Sequence, residues 1–136
     1  MVDEITERFL AEVRAFARDV VAREAVGWAR GKAADPAILA RAAEIGLTRI
    51  EVPAALGGLA LGFRAKVEAC AILAAVDFGF AMALVNTHNV AKRIAISAPA
   101  DLASSLLPDL LAGRASACTA LTEPGAGSDA AAMQCR

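Results

Sequence analysis

Residues Phe63 to Val85 read FRAKVEACAILAAVDFGFAMALV, a run dominated by alanine and other apolar side chains. Alanine gives up no side-chain entropy in a helix and is the best intrinsic helix former. The run is apolar almost all round, the pattern of a helix at the centre of a bundle. It predicts a helical region from about Phe63 to about Ala98, broken or kinked at Asp77-Phe78-Gly79. The fold class that follows is mainly α.

Composition agrees. The chain has 136 residues, 57% of them hydrophobic and 21% charged, enough for one domain with a true core. Aromatics are only 4% and Tyr is absent, so aliphatic residues must fill that core. The mean hydropathy of +0.51 raises the question of a membrane span. Asp77 interrupts the most apolar stretch, Ala69 to Val85, and Asn86, His88 and Asn89 follow it. A spanning helix needs roughly 20 apolar residues with few charges, so no transmembrane segment is expected.

The N-terminal MVDEITERF is charged and has no apolar core of the secretory kind. Cys70, Cys118 and Cys135 are odd in number and lack ligand spacing, which suggests reduced packing residues, no metal and a cytoplasmic location. With 14 basic and 15 acidic residues interleaved, the net charge of -1 offers no basic stripe for nucleic acid.

Upstream, Ile5, Phe9, Val13, Phe16 and Val20 recur at helical spacing and predict a first helix from about Asp3 to about Arg30. Asp3, Glu4 and Glu7 favour the positive end of its dipole. Asp35-Pro36 is a helix start, with Asp as cap and Pro at the first helical position, and Gly46 a helix stop. Leu47 to Val52 reads as an apolar extended stretch, followed by a glycine-punctuated loop from Gly57 to Gly62. A last helix is expected from Ala100-Asp101 to Gly113, kinked or split at Pro108. Ala115 to Leu121 then reads as a β-strand. The organisation expected is an all-α domain over residues 1–114 and the start of a β-domain over 115–136.

That strand leads into Thr122-Glu123-Pro124-Gly125-Ala126-Gly127-Ser128-Asp129. Pro124 fixes φ, Gly125 and Gly127 allow a ligand close to the main chain, and Ser128 adds a hydroxyl beside free N–H groups. Such a surface can hold phosphate oxygens. Thr122 can offer a hydroxyl to a heterocycle. Alone, Gly-Ala-Gly-Ser more often marks a surface turn.

The longer run is more specific. Ala120 to Ala130, Ala-Leu-Thr-Glu-Pro-Gly-Ala-Gly-Ser-Asp-Ala, closely resembles the signature of the acyl-CoA dehydrogenase family. Val52 to Leu59 resembles that family's Val-Pro-x-x-x-Gly-Gly loop, and Val85 to Asn89 its segment ending in His-Asn. Leu107-Pro108 to Gly113 resembles the helix just before its strand.

The resemblance implies an N-terminal helical bundle followed by the first strand of a truncated middle β-domain. It also implies oxidation of an acyl-CoA thioester at the α and β carbons, with hydride transfer to FAD. Thr119, Ala120, Leu121, Thr122, Gly127 and Ser128 would line the cofactor. Thr122 would hydrogen-bond the isoalloxazine ring, with the Leu121 backbone lying against it. Gly127 and Ser128 would reach the pyrophosphate, with Ser128 also near the acyl-CoA substrate. Many relatives carry Phe or Tyr where this chain has Thr119, a departure that bears on flavin contact or substrate shape.

The family's base glutamate and second flavin strand would lie beyond Arg136, so no catalytic residue is assigned and the chain alone is expected to be inactive. His88 and Asp77 read as structural groups, and Glu123 matches no family base. The family further implies an electron-transfer acceptor, a homo-oligomeric full-length form and a place in fatty acid metabolism. Two alternatives stay open: an acyl-CoA oxidase or flavin monooxygenase relative, and a non-catalytic helical partner module.

Overall fold

In the computed structural model, which describes residues 4–135, six α-helices carry the chain: α1 Glu4–Phe16, α2 Ala22–Ala29, α3 Pro36–Glu44, α4 Phe63–Ala74, α5 Phe78–Ser97 and α6 Ala100–Leu111. A π-helical segment, Ala17–Val21, joins α1 to α2, so the first helix runs through with a locally widened turn. Asp3 lies outside the described residues, as does Arg136.

Burial along this first helix departs from the expected stripe in one place. Ile5 is 64% exposed, and the buried face is Thr6, Phe9, Leu10, Val13, Phe16, Ala17, Val20 and Val21. Thr6 takes the inward position one residue on from Ile5, because a helix turns by about 100° per residue.

α3 begins as the sequence foretells. Asp35 Oδ1 accepts the N–H of Ala37 at 2.9 Å, and Pro36 occupies the first turn. The helix closes at Gly46, whose φ of +92° lies in the left-handed region.

Leu47 to Val52 is not an extended stretch but a succession of turns, with Leu47, Thr48, Ile50 and Val52 all buried. The loop folds back on it. Leu59 N–H donates to the Arg49 carbonyl, Ala60 to Val52 and Leu61 to Ile50, at 2.8 to 3.0 Å. This close return explains Gly58, where a Cβ would overlap the Val52 carbonyl oxygen.

The helical region after Phe63 breaks where expected. Asp77 Oδ1 accepts the Phe80 N–H at 2.7 Å and caps α5. The pair is less enclosed than its composition suggests: Phe63 is 65% and Phe78 68% exposed. Pro108 neither splits α6 nor ends it. Pro108 and Ser104, the residue whose carbonyl a helical N–H at 108 would have engaged, both lie on the exposed face, where water can serve that carbonyl.

Two apolar clusters form the interior. The larger joins α1, the π segment, α3, α4 and the start of α5 through residues such as Leu10, Val13, Ile38, Ala69, Leu73 and Leu84. Phe80 lies at its rim, stacked on Trp28 at 5.3 Å between centroids and tilted against Phe16 at 6.1 Å. The smaller joins Val52, Ala91, Ala103, Leu107 and Leu110, with Ala115 and Ala117 packed against it. No helix among the described residues is long and apolar enough to cross a membrane.

The predicted strand at Ala115 to Leu121 does not form. The residues pair with no other strand, and the only ladder-like contact among the described residues is an isolated bridge, Glu123 to Ala126. A strand exists only through a neighbour that takes its N–H and C=O groups. Ala115 and Ala117 are partly buried while Arg114, Ser116 and Cys118 are exposed, an inward–outward alternation without a sheet. Cys118 and Cys135 are exposed, which corrects their reading as packing residues, and only Cys70 is partly covered. Burial raises the Cys70 thiol above its ordinary pKa, and the charge of Lys66 opposes that only in part.

Candidate functional site

The chain leaves the bundle under tight control. Thr48, 1% exposed, donates its hydroxyl to the Leu111 carbonyl at 2.7 Å, satisfying one of the carbonyls left free at the end of α6. Gly113 then turns with φ +68°, pressed so closely on the Leu39 carbonyl that a side chain would overlap it. Further on, Thr87 of α5 holds Ala117: its Oγ1 accepts the Ala117 N–H at 3.1 Å and lies 3.4 Å from the Ala117 carbonyl.

Thr119, Ala120, Leu121 and Thr122 follow, all exposed, with Leu121 at 55%. The chain next makes a tight reversal. Glu123 N–H donates to the Ala126 carbonyl at 2.8 Å, and Ala126 N–H returns the bond to Glu123 at 3.1 Å, with Pro124-Gly125 at the corner. Ala126 is buried and anchors the turn. Glu123 also accepts the N–H groups of Gln134 at 2.9 Å and Cys135 at 2.8 Å through its two carboxylate oxygens. Its carboxylate therefore closes a loop that carries Gly127 and Ser128 on its exposed side.

Gly125 and Gly127 answer a sharper question. A Cβ at either would meet no atom within 4 Å, and neither has a left-handed φ. Nothing in the chain's own packing requires glycine there, in contrast with Gly58 and Gly113. A bound group lying against the main chain would require it. The open edge beside Gly127 and the Ser128 hydroxyl is consistent with a phosphate-bearing ligand.

The central helices hold a second polar cluster, which was not apparent from sequence. Glu51, with a side chain only 7% exposed, is paired with Lys66 at 2.6 Å and Lys92 at 2.7 Å. Lys66 also donates to Asn89 Oδ1 at 3.2 Å. Burial pushes the Glu51 carboxyl upward, but its bonds and charge pairing with the two lysines outweigh this and leave it below the usual range.

His88, 1% exposed, accepts the Glu51 N–H on Nε2 at 3.1 Å, which puts its proton on Nδ1. Burial, aided by the positive charge of Lys66, lowers its pKa from 6.5 to about 4. His88 is thus a neutral, buried acceptor that holds the Glu51 backbone, and Asp77 is a helix cap. The sequence signal for the cluster was present only as isolated charges at positions 51, 66 and 92, in elements whose contact no local pattern reveals.

Two apolar clefts lie elsewhere. One of about 280 Å³ runs between Trp28, Ile38, Leu39 and Phe80, and one of about 530 Å³ between Leu56, Ala95, Ala103 and Leu107. Neither includes a residue of the Thr119–Ser128 segment.

Residues 3–114 match the acyl-CoA dehydrogenase N-terminal domain. The chain belongs to that family. Its backbone superposes on the FAD complex of PigA with a TM-score of 0.87 at 24% identity, covering 98% of this chain and 36% of that one. It superposes on the electron transferring flavoprotein of Acidaminococcus fermentans with a TM-score of 0.81 at 23% identity, covering 98% of this chain and 36% of that one. At those identities the likeness speaks to fold. The chain thus spans about a third of the length of the solved proteins it resembles. No curated protein matches it.

The Val52–Leu59, Val85–Asn89 and Leu107–Gly113 landmarks lie inside the matched residues. The Val52–Leu59 loop is the one in which Gly58 passes against Val52, and the Val85–Asn89 segment supplies Thr87, His88 and Asn89 to the tether and the buried cluster. The signature run from Ala120 lies outside the matched residues.

Proposed function

We propose that this chain supplies the N-terminal helical domain (residues 1–114) and the first flavin-contacting segment (residues 115–136) of an FAD-dependent acyl-CoA dehydrogenase. One observation carries the reading. The Thr119–Ser128 run is held at the exit of the bundle, yet its two glycines leave an edge open that internal packing does not explain. The family match over the preceding residues supports it.

In this reading Gly127 presents its main chain, and Ser128 its hydroxyl, to the pyrophosphate of FAD. Thr122 offers a hydrogen bond to the edge of the ring system, and Leu121 lays its backbone alongside. Thr119 and Ala120 complete that wall, the small Thr119 leaving more room than an aromatic residue would. Ser128 also faces the acyl-CoA thioester. The cofactor, when bound, supplies the acceptor for the β-hydride. The base that takes the α-proton is none of the residues described. Glu123 is committed to two backbone N–H groups, and His88 is sealed among Glu51, Lys66 and Lys92. Electrons would then pass to a separate acceptor protein.

The test is the gene product purified natively from its own cells. The reading predicts a yellow protein that releases FAD on denaturation. A colourless protein that takes up no added FAD would sink it and favour a non-catalytic helical module, for which the exposed Phe63, Phe78, Ile96 and Leu102 offer apolar contact area.

A further inference from the structure

We propose that Thr87 is a positioning residue for the flavin-contacting segment, its buried hydroxyl fixing Ala117 and, through it, the placement of Thr119 to Thr122. The inference rests on the flavin reading above and adds a residue on a different element, α5.

Thr87 is 2% exposed, in the middle of a helix. A helical threonine commonly turns its hydroxyl back to the carbonyl one turn earlier in its own helix. Here the hydroxyl serves a segment thirty residues further along the chain, accepting from Ala117 N–H and directed at the Ala117 carbonyl. One oxygen thus engages both polar groups of one residue.

Among the described residues, no other hydrogen bond holds the segment there. Upstream, Arg114 and Ala115 N–H donate to the Asp109 carbonyl, and the next backbone–backbone bond among the described residues is at Glu123. Across residues 116–122 the bonds to Thr87 stand alone among the described residues.

Ala115 and Ala117 pack inward on the smaller core cluster while Ser116 and Cys118 point out. Alanine and serine are alike in size, so packing discriminates weakly between this arrangement and one slipped by a residue. A one-residue slip in an alternating segment exchanges its two faces. It would exchange the faces presented by Leu121 and Thr122. The Thr87 hydroxyl bonds the main chain in the arrangement that turns Ala115 and Ala117 inward, and so holds the segment in that placement.

The experiment compares the native protein with Thr87→Val and Thr87→Ser, reading FAD dissociation constant and backbone hydrogen exchange at Ala117. Valine keeps the shape and removes the hydroxyl, whereas serine keeps the hydroxyl. The expected result is slow Ala117 exchange in the native protein. In Thr87→Val that exchange is fast and FAD binding is about tenfold weaker, equivalent to about 1.4 kcal/mol, with both restored in Thr87→Ser.

A merely structural role would lower the unfolding midpoint of the valine variant yet leave FAD affinity unchanged below that midpoint. Unchanged affinity with faster exchange therefore overturns the proposal, as does fast Ala117 exchange in the native protein, which needs no variant to fold. If the native protein binds no FAD, the proposed function fails first, and the exchange data alone decide whether Thr87 tethers the segment.

Discussion

Acidification to about pH 5 is expected to cost this protein roughly 2 kcal/mol of stability relative to pH 7, with His88 as the cause. It is the only histidine in the chain, so its titration can be followed without overlap. Its pKa falls from 6.5 to about 4 on folding, because burial and the nearby Lys66 charge disfavour the imidazolium, with Lys92 adding to Lys66 and Glu51 opposing both. The unfolded chain therefore binds a proton that the folded chain refuses. Stability is whole at neutral pH, declines as the pH drops below 6.5, and stops declining on this account below about 4.

The fall from 6.5 to about 4 corresponds to about 3.4 kcal/mol. A little more than half of it is reached by about pH 5, before the Glu51 carboxyl, held low by its lysines, adds its own loss at lower pH. Urea unfolding at a series of pH values between 7 and 5 measures the decline, and the imidazole proton resonance in NMR measures the midpoint. A stability that stays flat across that range, or a histidine that titrates near 6.5, would refute the reasoning.

Three further substitutions are informative. Glu51→Ala leaves Lys66 buried with Asn89 as its one bonded partner among the described residues, and should cost about 3–5 kcal/mol in urea unfolding, as breaking one side of a buried ion pair does; a loss below about 1 kcal/mol would show that the pair is effectively solvated. Gly58→Ala places a methyl on the Val52 carbonyl and should cost more than about 3 kcal/mol, beyond ordinary overpacking, as judged by the thermal midpoint. Gly127→Ala meets no atom of the chain, so its stability should stay within about 0.5 kcal/mol of the parent while the flavin content of the purified protein falls; full flavin retention would separate Gly127 from the site.

Much of the bundle was legible because its signals are local. Asp35-Pro36 and Asp77 cap helices through bonds to residues two or three positions on, and Gly46 stops a helix through its own φ. The misses are places where distant partners decide. Leu47 to Val52 looked extended because it is apolar, but its course is set by the returning Leu59–Leu61 loop. Ala115 to Leu121 has strand composition, but among the described residues there is no strand for it to pair with. The π-helical turn at Ala17–Val21 contains no glycine or proline that would betray it.

The site divides in the same way. Thr119 to Thr122, Gly127 and Ser128 announce themselves as one contiguous run, and the structure leaves them exposed. The groups that hold that run are scattered. Thr48, Thr87 and the closing bonds of Glu123 acquire meaning only from partners 63, 30 and 11 or 12 residues away.

The most direct test of the account is anaerobic addition of acyl-CoA thioesters of graded chain length to the native, flavin-bearing gene product, following the visible flavin band. The account predicts that at least one thioester bleaches the band and is converted to its α,β-unsaturated product. A protein that holds FAD, yet whose band no thioester bleaches, would contradict an acyl-CoA dehydrogenase.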